Sequence, residues 1–239
     1  MGLFRELREE YEVIKERDPS VKSMMEVLLY PTFKAMHSYR RAHRHYLKGH
    51  YFLARLISQR AARKTGIEIH PGATIGKGFF IDHGSGVIIG ETAIVGDNVT
   101  LYQGVTLGGT GKETGKRHPT LGDNVMVSAG AKVIGSFTVG DNSKIGAGSV
   151  VIEEVPPNCT VVGVPGRVVK RNNLKVPQSD MDQVHLPDPV KEDIMVLQQE
   201  NSELVNRVLQ LEQELKSLKK NFGFRNENSA AEKERITTL

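Results

Sequence analysis

The chain has 239 residues, with 32 lysines and arginines against 28 aspartates and glutamates, and its hydrophobic content of 38% is ordinary for a globular protein. The net charge of +4 and the basic segment 40–45 do not indicate nucleic-acid binding, because no recognition motif accompanies them. The single cysteine, Cys159, excludes an intrachain disulfide, and no apolar run approaches the roughly 20 residues that span a bilayer. We therefore expect a cytoplasmic protein that binds neither nucleic acid nor a membrane.

Residues 1–65 are predicted to form an N-terminal α-helical domain. Tyr11 and Ile14 belong to an apolar face at helical spacing. Pro31 marks a break before the next helix, and Gly49 divides the remaining segment into two helices.

From residue 66 an aliphatic residue, or Ala once, recurs at every sixth position. The first series is Ile69, Ile75, Ile81, Val87, Ala93, Val99 and Val105, and the second is Leu121, Val127, Val133, Val139, Ile145 and Val151. This period is the hexapeptide signature of a parallel β-helix, a β-solenoid in which stacked coils bury a continuous aliphatic ladder. We predict such a domain over residues 66–169, with equivalent positions about eighteen residues apart in successive coils.

The period is interrupted between Val105 and Leu121, where the spacing exceeds one repeat by ten residues (121 − 105 − 6 = 10). Residues 108–120 are polar and rich in glycine, which predicts a loop outside the β-helix wall. Long loops on a rigid scaffold commonly carry function, and Arg117 and His118 at the end of this loop favour that interpretation.

The C-terminal part contains a heptad pattern. Positions a are Ile194, Asn201, Val208 and Leu215, and positions d are Leu197, Leu204, Leu211 and Leu218. The pattern predicts a coiled-coil helix over residues 191–221. Residues 170–190 are expected to form an irregular linker, and the polar residues 222–239 are expected to be disordered.

His83 is the strongest candidate for catalytic chemistry, since Asp82 and small residues flank it and leave room for a ligand. A neutral imidazole can accept a proton from a hydroxyl and return it to a leaving thiol. Glu68, Asp82 and Glu91 are candidate carboxylates to orient it, although an eighteen-residue stacking places Gly86, not His83, over Glu68. A metal centre is not expected, because His70, His83 and His118 do not occupy stacked positions.

Several motifs together resemble the serine O-acetyltransferase family. They are Ile67–Gly76, Asp82-His83-Gly84, Gly90-Glu91-Thr92, Gln103–Lys112, Arg117-His118-Pro119, Lys144–Val150 and Gly163–Arg167. The resemblance extends from about Arg17 to Val169 and implies a left-handed parallel β-helix that assembles as a homotrimer. It also implies transfer of acetyl from acetyl-CoA to the hydroxyl of L-serine, a step of cysteine biosynthesis that needs no metal.

The same resemblance implies the site residues. His83 corresponds to the general base, and Glu68 to the acid that orients it. Asp18 and Asp82 correspond to the residues that hold the serine ammonium, and Arg117 with His118 to those that hold its carboxylate. The residues that correspond to the acetyl-CoA channel are Gly109, Thr110, Ala129, Lys144, Ala147 and Gly148.

Two other functions are open on sequence alone. An acyltransferase could accept homoserine or a sugar, although a sugar needs no pair of opposite charges such as Asp18 and Arg117. An inert β-helix could also present the coiled coil to a partner.

The expected ligands and partners extend beyond the two substrates. L-cysteine, isosteric with serine, is expected to act as a competitive feedback inhibitor. The coiled coil could join two trimers into a hexamer. Binding of O-acetylserine sulfhydrylase is in doubt, because relatives that bind it commonly end in Ile and this chain ends in Leu239.

Overall fold

The structure, a computed structural model, describes residues 3–18, 20–111, 114–171 and 188–236. The chain forms two compact units, Met1–Pro189 and Val190–Leu239. The first unit contains the N-terminal helices and the β-helix, and the second is almost entirely one helix.

The helical segment has the turn residues that its breaks require. The helices are α1 (Leu3–Arg17), a short 3-10 turn (Glu26–Leu29), α2 (Pro31–Leu47) and α3 (Tyr51–Thr65). Pro31 occupies the first turn of α2, where its missing N–H costs nothing. Gly49, with φ of +78°, lies between α2 and α3, and Gly66, with φ of +71°, ends α3 in a left-handed cap.

Strands of two to four residues follow, and they group into three sheets that form the sides of a coil. The first sheet contains β1 (Ile67–Ile69), β4 (Val87–Ile89), β7 (Thr106–Gly108), β10 (Lys132–Ile134) and β13 (Val150–Val151). The second contains β2 (Thr74–Ile75), β5 (Ile94–Val95), β8 (Thr120–Leu121) and β11 (Thr138–Val139). The third contains β3 (Phe80–Ile81), β6 (Thr100–Leu101), β9 (Met126–Val127), β12 (Lys144–Ile145), β14 (Thr160–Val162) and β15 (Arg167–Lys170).

Successive strands of each sheet come from successive coils and pair in parallel, except that β15 pairs antiparallel with β14. The parallel β-helix predicted from the sequence is therefore confirmed. Its interior is a set of aliphatic ladders, and in the first sheet the rungs are Ile69, Ile89, Leu107, Val133 and Val151. These side chains are at most 4% exposed, so the ladder is a continuous dry core.

The phase of the ladder differs from the prediction at one place. Ile67 pairs with Val87, a spacing of twenty residues (87 − 67 = 20), because two additional residues lie between β3 and β4. Each side of a coil buries two side chains two positions apart, so a series shifted by two residues still falls on buried positions such as Val87 and Val105. The hydrophobic pattern therefore did not reveal the insertion. Because of the insertion, the residue that pairs with Glu68 is Ile88 rather than Gly86.

The interruption predicted between Val105 and Leu121 is shorter in the structure than the sequence indicated. Leu107 pairs with Val133, a spacing of twenty-six (133 − 107 = 26), which exceeds one coil of eighteen by eight residues rather than ten. The loop leaves the coil between β7 and β8.

The second unit consists of α4 (Pro189–Ile236), a helix of 48 residues. The helix extends to Ile236, into residues 222–239 for which disorder was predicted. This segment contains no proline, and its Ala, Glu, Lys and Arg residues favour helix. Most of the linker predicted over 170–190 lies outside the described residues. None of the helices in the described ranges combines the length and apolar character needed to cross a membrane.

Candidate active site

His83 lies in the two-residue insertion, at the corner where the chain passes from the third sheet to the first. Its φ is +59°, a left-handed conformation that is uncommon for a residue other than glycine, and Gly84 follows with φ of +69°. The imidazole is 76% exposed, and its Nε2 lies 3.8 Å from Asp82 Oδ1. A strained, exposed residue at a bulged corner is a common feature of functional sites.

Asp18 is held near His83 by contacts of the N-terminal helices. Arg17, at the end of α1, donates to Thr100 Oγ1 at 3.1 Å and lies over the ring of Phe80. Asp18 then accepts hydrogen bonds from the backbone N–H of Ser20 at 2.8 Å and from Tyr30 Oη at 2.6 Å. Desolvation alone raises the pKa of Asp18, but these hydrogen bonds and the nearby His83 together hold the pKa below its ordinary value.

Glu68 does not show the predicted contact with His83. It lies on the outer face of β1, and its Oε1 accepts a hydrogen bond of 3.4 Å from Gln59 Nε2. Within the described part of this chain, the carboxylate beside the His83 ring is Asp82.

Arg117 and His118 lie at a different corner, between the first and second sheets, at the end of the loop after β7. Thr92 fixes both of them: its Oγ1 accepts from the backbone N–H groups of Arg117 at 3.0 Å and of His118 at 3.1 Å. Lys116 reinforces this turn by donating to the carbonyl oxygens of Thr92 and His118. The loop end is therefore rigid although the loop itself leaves the coil.

The surroundings of His118 define its tautomer. Its Nδ1 accepts from the N–H of Thr92 at 3.2 Å and lies 2.9 Å from Thr92 Oγ1, so Nδ1 carries no proton. Burial, followed by the charge of Arg117, lowers the pKa of His118, so the ring is neutral at pH 7. Its proton is consequently on Nε2, which can donate to an anion.

Glu91 belongs to the Arg117 corner and not to His83. Its Oε2 forms an ion pair with Arg117 Nη2 at 2.7 Å, and its Oε1 accepts from Tyr46 Oη at 3.1 Å. Desolvation, followed by the hydrogen bond to Glu91, raises the pKa of Tyr46, so its hydroxyl stays protonated. His70 lies in the same cluster, with its ring 5.9 Å from that of Tyr46.

Sequence reasoning missed Tyr46, Thr92 and the role of Glu91. The second and third coils are twenty-six residues apart, and Thr92 precedes His118 by the same number (118 − 92 = 26). Knowledge of this spacing would have predicted that Thr92 lies next to His118. Tyr46 had no such signal, because it comes from α2. Among the described residues no group of three or more His, Cys, Asp or Glu side chains is arranged to hold a metal.

The residues expected to contact acetyl-CoA divide between the same two corners. Ala129, Ala147 and Gly148 lie between the third and first sheets, as His83 does. Gly109 and Thr110 lie at the other corner, where a β-carbon on Gly109 would be 3.0 Å from Arg117 Cγ and 3.1 Å from His118 Nε2. Lys144 is on the outer face of β12, and it is only 5% exposed.

A column of glycines gives the His83 corner its shape. Gly86, Gly104, Gly130 and Gly148 are stacked there with φ between +68° and +76°. A β-carbon on Gly130 or Gly148 would meet nothing within 4 Å, so the surface beside them is open. Exposed backbone without side chains suits an extended, amide-containing chain such as pantetheine.

The structure therefore brings together Asp18, Asp82 and His83 at one edge of the first sheet, and Arg117 and His118 at the opposite edge. The four-residue step from Gly86 to Gly90 crosses this sheet, and at about 3.3 Å per residue it spans about 13 Å. In the described part of the chain, the residues predicted to bind serine therefore lie in two groups at opposite edges of this sheet.

Known proteins are similar to this chain in sequence and in architecture. Residues 118–153 match the family described as "Bacterial transferase hexapeptide (six repeats)". The serine acetyltransferase of Bacillus subtilis is 56% identical over 202 residues, which is 84% of this chain and 93% of that protein. A solved serine acetyltransferase in complex with cysteine has a TM-score of 0.73 at 39% identity, covering 76% of this chain and 71% of that one. The serine acetyltransferase of Brucella abortus, solved in complex with coenzyme A, has a TM-score of 0.67 at 43% identity, covering 70% of this chain and 68% of that one. With this identity over nearly the whole length of its relative, the chain belongs to the serine acetyltransferase family.

Proposed function

We propose that this enzyme acetylates the hydroxyl of L-serine with His83 as the general base, in an active site shared by two subunits. The imidazole accepts the hydroxyl proton while the serine oxygen attacks the thioester carbonyl of acetyl-CoA. The tetrahedral intermediate then expels the thiolate of coenzyme A, which takes the proton back from the imidazolium. O-acetylserine and coenzyme A leave, and the imidazole is neutral again.

The transfer is direct, without an acyl-enzyme. Cys159 is 2% exposed and faces the interior of the β-helix two residues before Val161. It therefore cannot reach a thioester at the surface.

The charges of the two corners fit an amino acid. Asp18 and Asp82 are suited to the ammonium group, and Arg117 with the Nε2–H of His118 is suited to the carboxylate. Serine places its hydroxyl between these groups, within reach of His83. Homoserine has a longer side chain and a sugar lacks both charges, so we rank both below serine.

The separation of the two corners supports a shared site. We propose a three-fold arrangement of β-helices in which the His83 corner of one subunit lies beside the Arg117 corner of the next. Large apolar side chains are exposed in the segments next to both corners: Leu29, 72% exposed, precedes the Asp18 partner Tyr30, and Phe52, 83% exposed, follows Tyr51, whose ring contacts Tyr46. Exposed apolar side chains of this size are typical of surfaces covered by a partner. We therefore propose a homotrimer with three sites at its seams.

This arrangement also completes the acetyl-CoA channel. The glycine column with Ala129 and Ala147 supplies one wall, and Gly109 with Thr110 of the next subunit supplies the other. Lys144 lies in β12 of the third sheet and is 5% exposed, and we propose that it supports the channel from there.

The observation that best supports the proposal is that the candidate site residues lie at two edges of the first sheet. His83 is at one edge and Arg117 is at the other. The test of the proposal is complementation between inactive subunits. His83→Asn and Arg117→Ala are purified separately, mixed in equal amounts, dissociated and reassembled. Random mixing restores about a quarter of the wild-type sites, since three-quarters of the trimers are mixed and each has one intact seam.

Each variant reassembled alone is the control, and both should stay as inactive as before mixing. Recovery to about a quarter supports the shared site. No recovery in trimers shown to be mixed by mass would place the whole site within one chain.

L-cysteine is proposed to compete with serine at this site, because it differs only in a thiol for a hydroxyl. A related serine acetyltransferase has been solved in complex with cysteine, which supports this proposal. Inhibition should be relieved by added serine and weakened in Arg117→Ala. We also propose a cytoplasmic location, consistent with a lone, buried thiol.

A further inference from the structure

The helix α4 carries an apolar stripe for which the described residues of its own chain offer no cover. The side chains of the stripe are Ile194, Leu197, Leu204, Val208, Leu211, Leu215 and Leu218, and they are between 43% and 67% exposed. A helix with an exposed apolar stripe gains most of its stability in a protein by packing that stripe against a partner.

One polar residue interrupts the stripe and selects a register. Asn201 occupies an a position among aliphatic residues. In a parallel, in-register coil Asn201 meets Asn201 of the neighbouring copy, and the two amides can bond to each other. In an antiparallel coil with full overlap, where Ile194 meets Leu218, Asn201 instead meets Leu211. That arrangement buries an amide without a hydrogen-bonding partner, which is costly.

The flanking charges favour the parallel direction too. In a parallel coil each g position faces the e position five residues later on the neighbour. Arg207 then faces Glu212 of the neighbouring copy, and Glu214 faces Lys219. Both pairs attract.

The antiparallel direction makes the corresponding pairs repulsive. With full overlap, g faces g and e faces e, so Glu200 faces Glu214, Arg207 faces Arg207, and Lys191 faces Lys219. Like charges at these positions oppose association. Tails that join two trimers end to end would have to run antiparallel, and the sequence opposes that arrangement.

We infer that α4 is an assembly element whose occupant is the same helix of two further copies, in a parallel, in-register, three-stranded coiled coil. The number three rests on the proposed homotrimer, whereas the direction and register rest on Asn201 and the charges. The tail thus holds subunits of one trimer together instead of linking two trimers. At low protomer concentration it would preserve the seams where the active sites lie.

Thiol cross-linking in the full-length chain tests this inference. Leu197→Cys places a thiol at a d position near the start of the stripe, and Gln199→Cys places one at an outer f position as the matched control. The native Cys159 is buried and gives no background. In the parallel register the two Leu197→Cys positions are adjacent. In the antiparallel alignment residue 197 lies opposite residue 215, so the two Leu197→Cys thiols are about 27 Å apart at 1.5 Å per residue.

Under mild oxidation Leu197→Cys should form cross-linked dimers that saturate at about two-thirds of the protein, since a disulfide pairs two thiols and leaves the third of each layer unpaired. Gln199→Cys should remain monomeric on the same gel. Complete conversion to dimers would show a two-stranded coil. A disulfide formed only when Leu197→Cys is mixed with Leu215→Cys would show the antiparallel one. Either result, or no cross-link at all, overturns the inference.

The readout requires neither serine nor turnover, so it is independent of the catalytic assignment. A second measurement separates the coil from the trimer itself. Light scattering on a chain ending at Asp188 should still show trimers at high concentration, with three times the mass of the shortened chain. These trimers should dissociate at a higher concentration than those of the full-length protein. If the shortened chain is already monomeric while full-length Leu197→Cys cross-links to two-thirds, the coil is confirmed and the β-helix trimer fails.

Discussion

Glu91 Oε2 lies 2.7 Å from Arg117 Nη2, and the other oxygen of the same carboxylate accepts a hydrogen bond from Tyr46. The ion pair fixes a flexible guanidinium at the edge of the first sheet. Both side chains are about a third exposed, so solvent screens the attraction and positioning is the larger contribution.

Glu91→Ala should therefore raise the KM for serine about 3–10-fold, because Arg117 loses its fixed orientation. Glu91→Gln keeps the shape and one acceptor oxygen, so it can retain the hydrogen bond to Arg117 without the charge and should raise the KM less. The KM for acetyl-CoA is the internal control and should stay constant. An unchanged KM for serine in Glu91→Ala would exclude the positioning role.

His83→Asn should lower turnover at saturating serine about 10²–10⁴-fold, the usual contribution of a positioned general base. Asparagine is the appropriate replacement, because it tolerates the φ of +59° at this position. His83→Ala would add strain of about 1–2 kcal/mol, because alanine is disfavoured in a left-handed conformation. Thermal unfolding checks the fold of both variants. Near-normal turnover in a folded His83→Asn would refute the assignment of the base.

The stability of the protein should decrease between pH 7 and pH 5 in part through His118. Burial lowers the pKa of His118 and of His70, so each is neutral in the folded protein when the unfolded chain begins to bind protons near the ordinary value of about 6.5. The unfolded state therefore binds more protons, and the free energy of unfolding falls as the pH falls. Each group contributes at most about 1.4 kcal/mol per pH unit.

His118→Asn tests this expectation, because the Asn oxygen can still accept from the N–H of Thr92 but does not titrate. Urea unfolding at pH 7 and pH 5, at one protomer concentration, should show a smaller loss of stability in the variant than in the wild type. An equal loss would show that His118 does not contribute.

A ladder of asparagines stabilises the corner between the second and third sheets. Asn124 donates to Asn142 Oδ1 at 3.1 Å and accepts from Asn98 at 3.4 Å, and its φ is +57°. Asn124→Ala should lower the free energy of unfolding by about 2–4 kcal/mol, since it removes two hydrogen bonds and adds left-handed strain.

Asn124→Gly is the matched control, because glycine accepts the positive φ and loses only the hydrogen bonds. It should cost about 1–2 kcal/mol. The difference between the two variants measures the strain. If glycine and alanine are equally destabilising, left-handed strain does not act at this position.

The six-residue period was visible in the sequence because each side of a coil buries an aliphatic side chain at the same position of its repeat. A buried side chain such as Val127 or Val133 needs only its own repeat to be recognised, so the aliphatic pattern predicts the coil without knowledge of any distant contact. The motifs around His83 and Arg117 were likewise local in sequence. For this reason the sequence alone predicts the fold and the family.

The register of the coils and the composition of each corner depended on tertiary structure. Two inward positions per side make a shift of two residues invisible to hydrophobicity, so only strand pairing revealed that Glu68 faces Ile88 and that His83 stands in an insertion. The sequence did not determine whether Glu91 lies near His83 or near His118. In the structure it contacts Arg117 and Tyr46, which come from segments far apart in the chain. The candidate site residues lie in short motifs that the sequence reveals, but the distance between the two corners is a property of the folded sheet. The proposal of a site shared by two subunits rests on that distance.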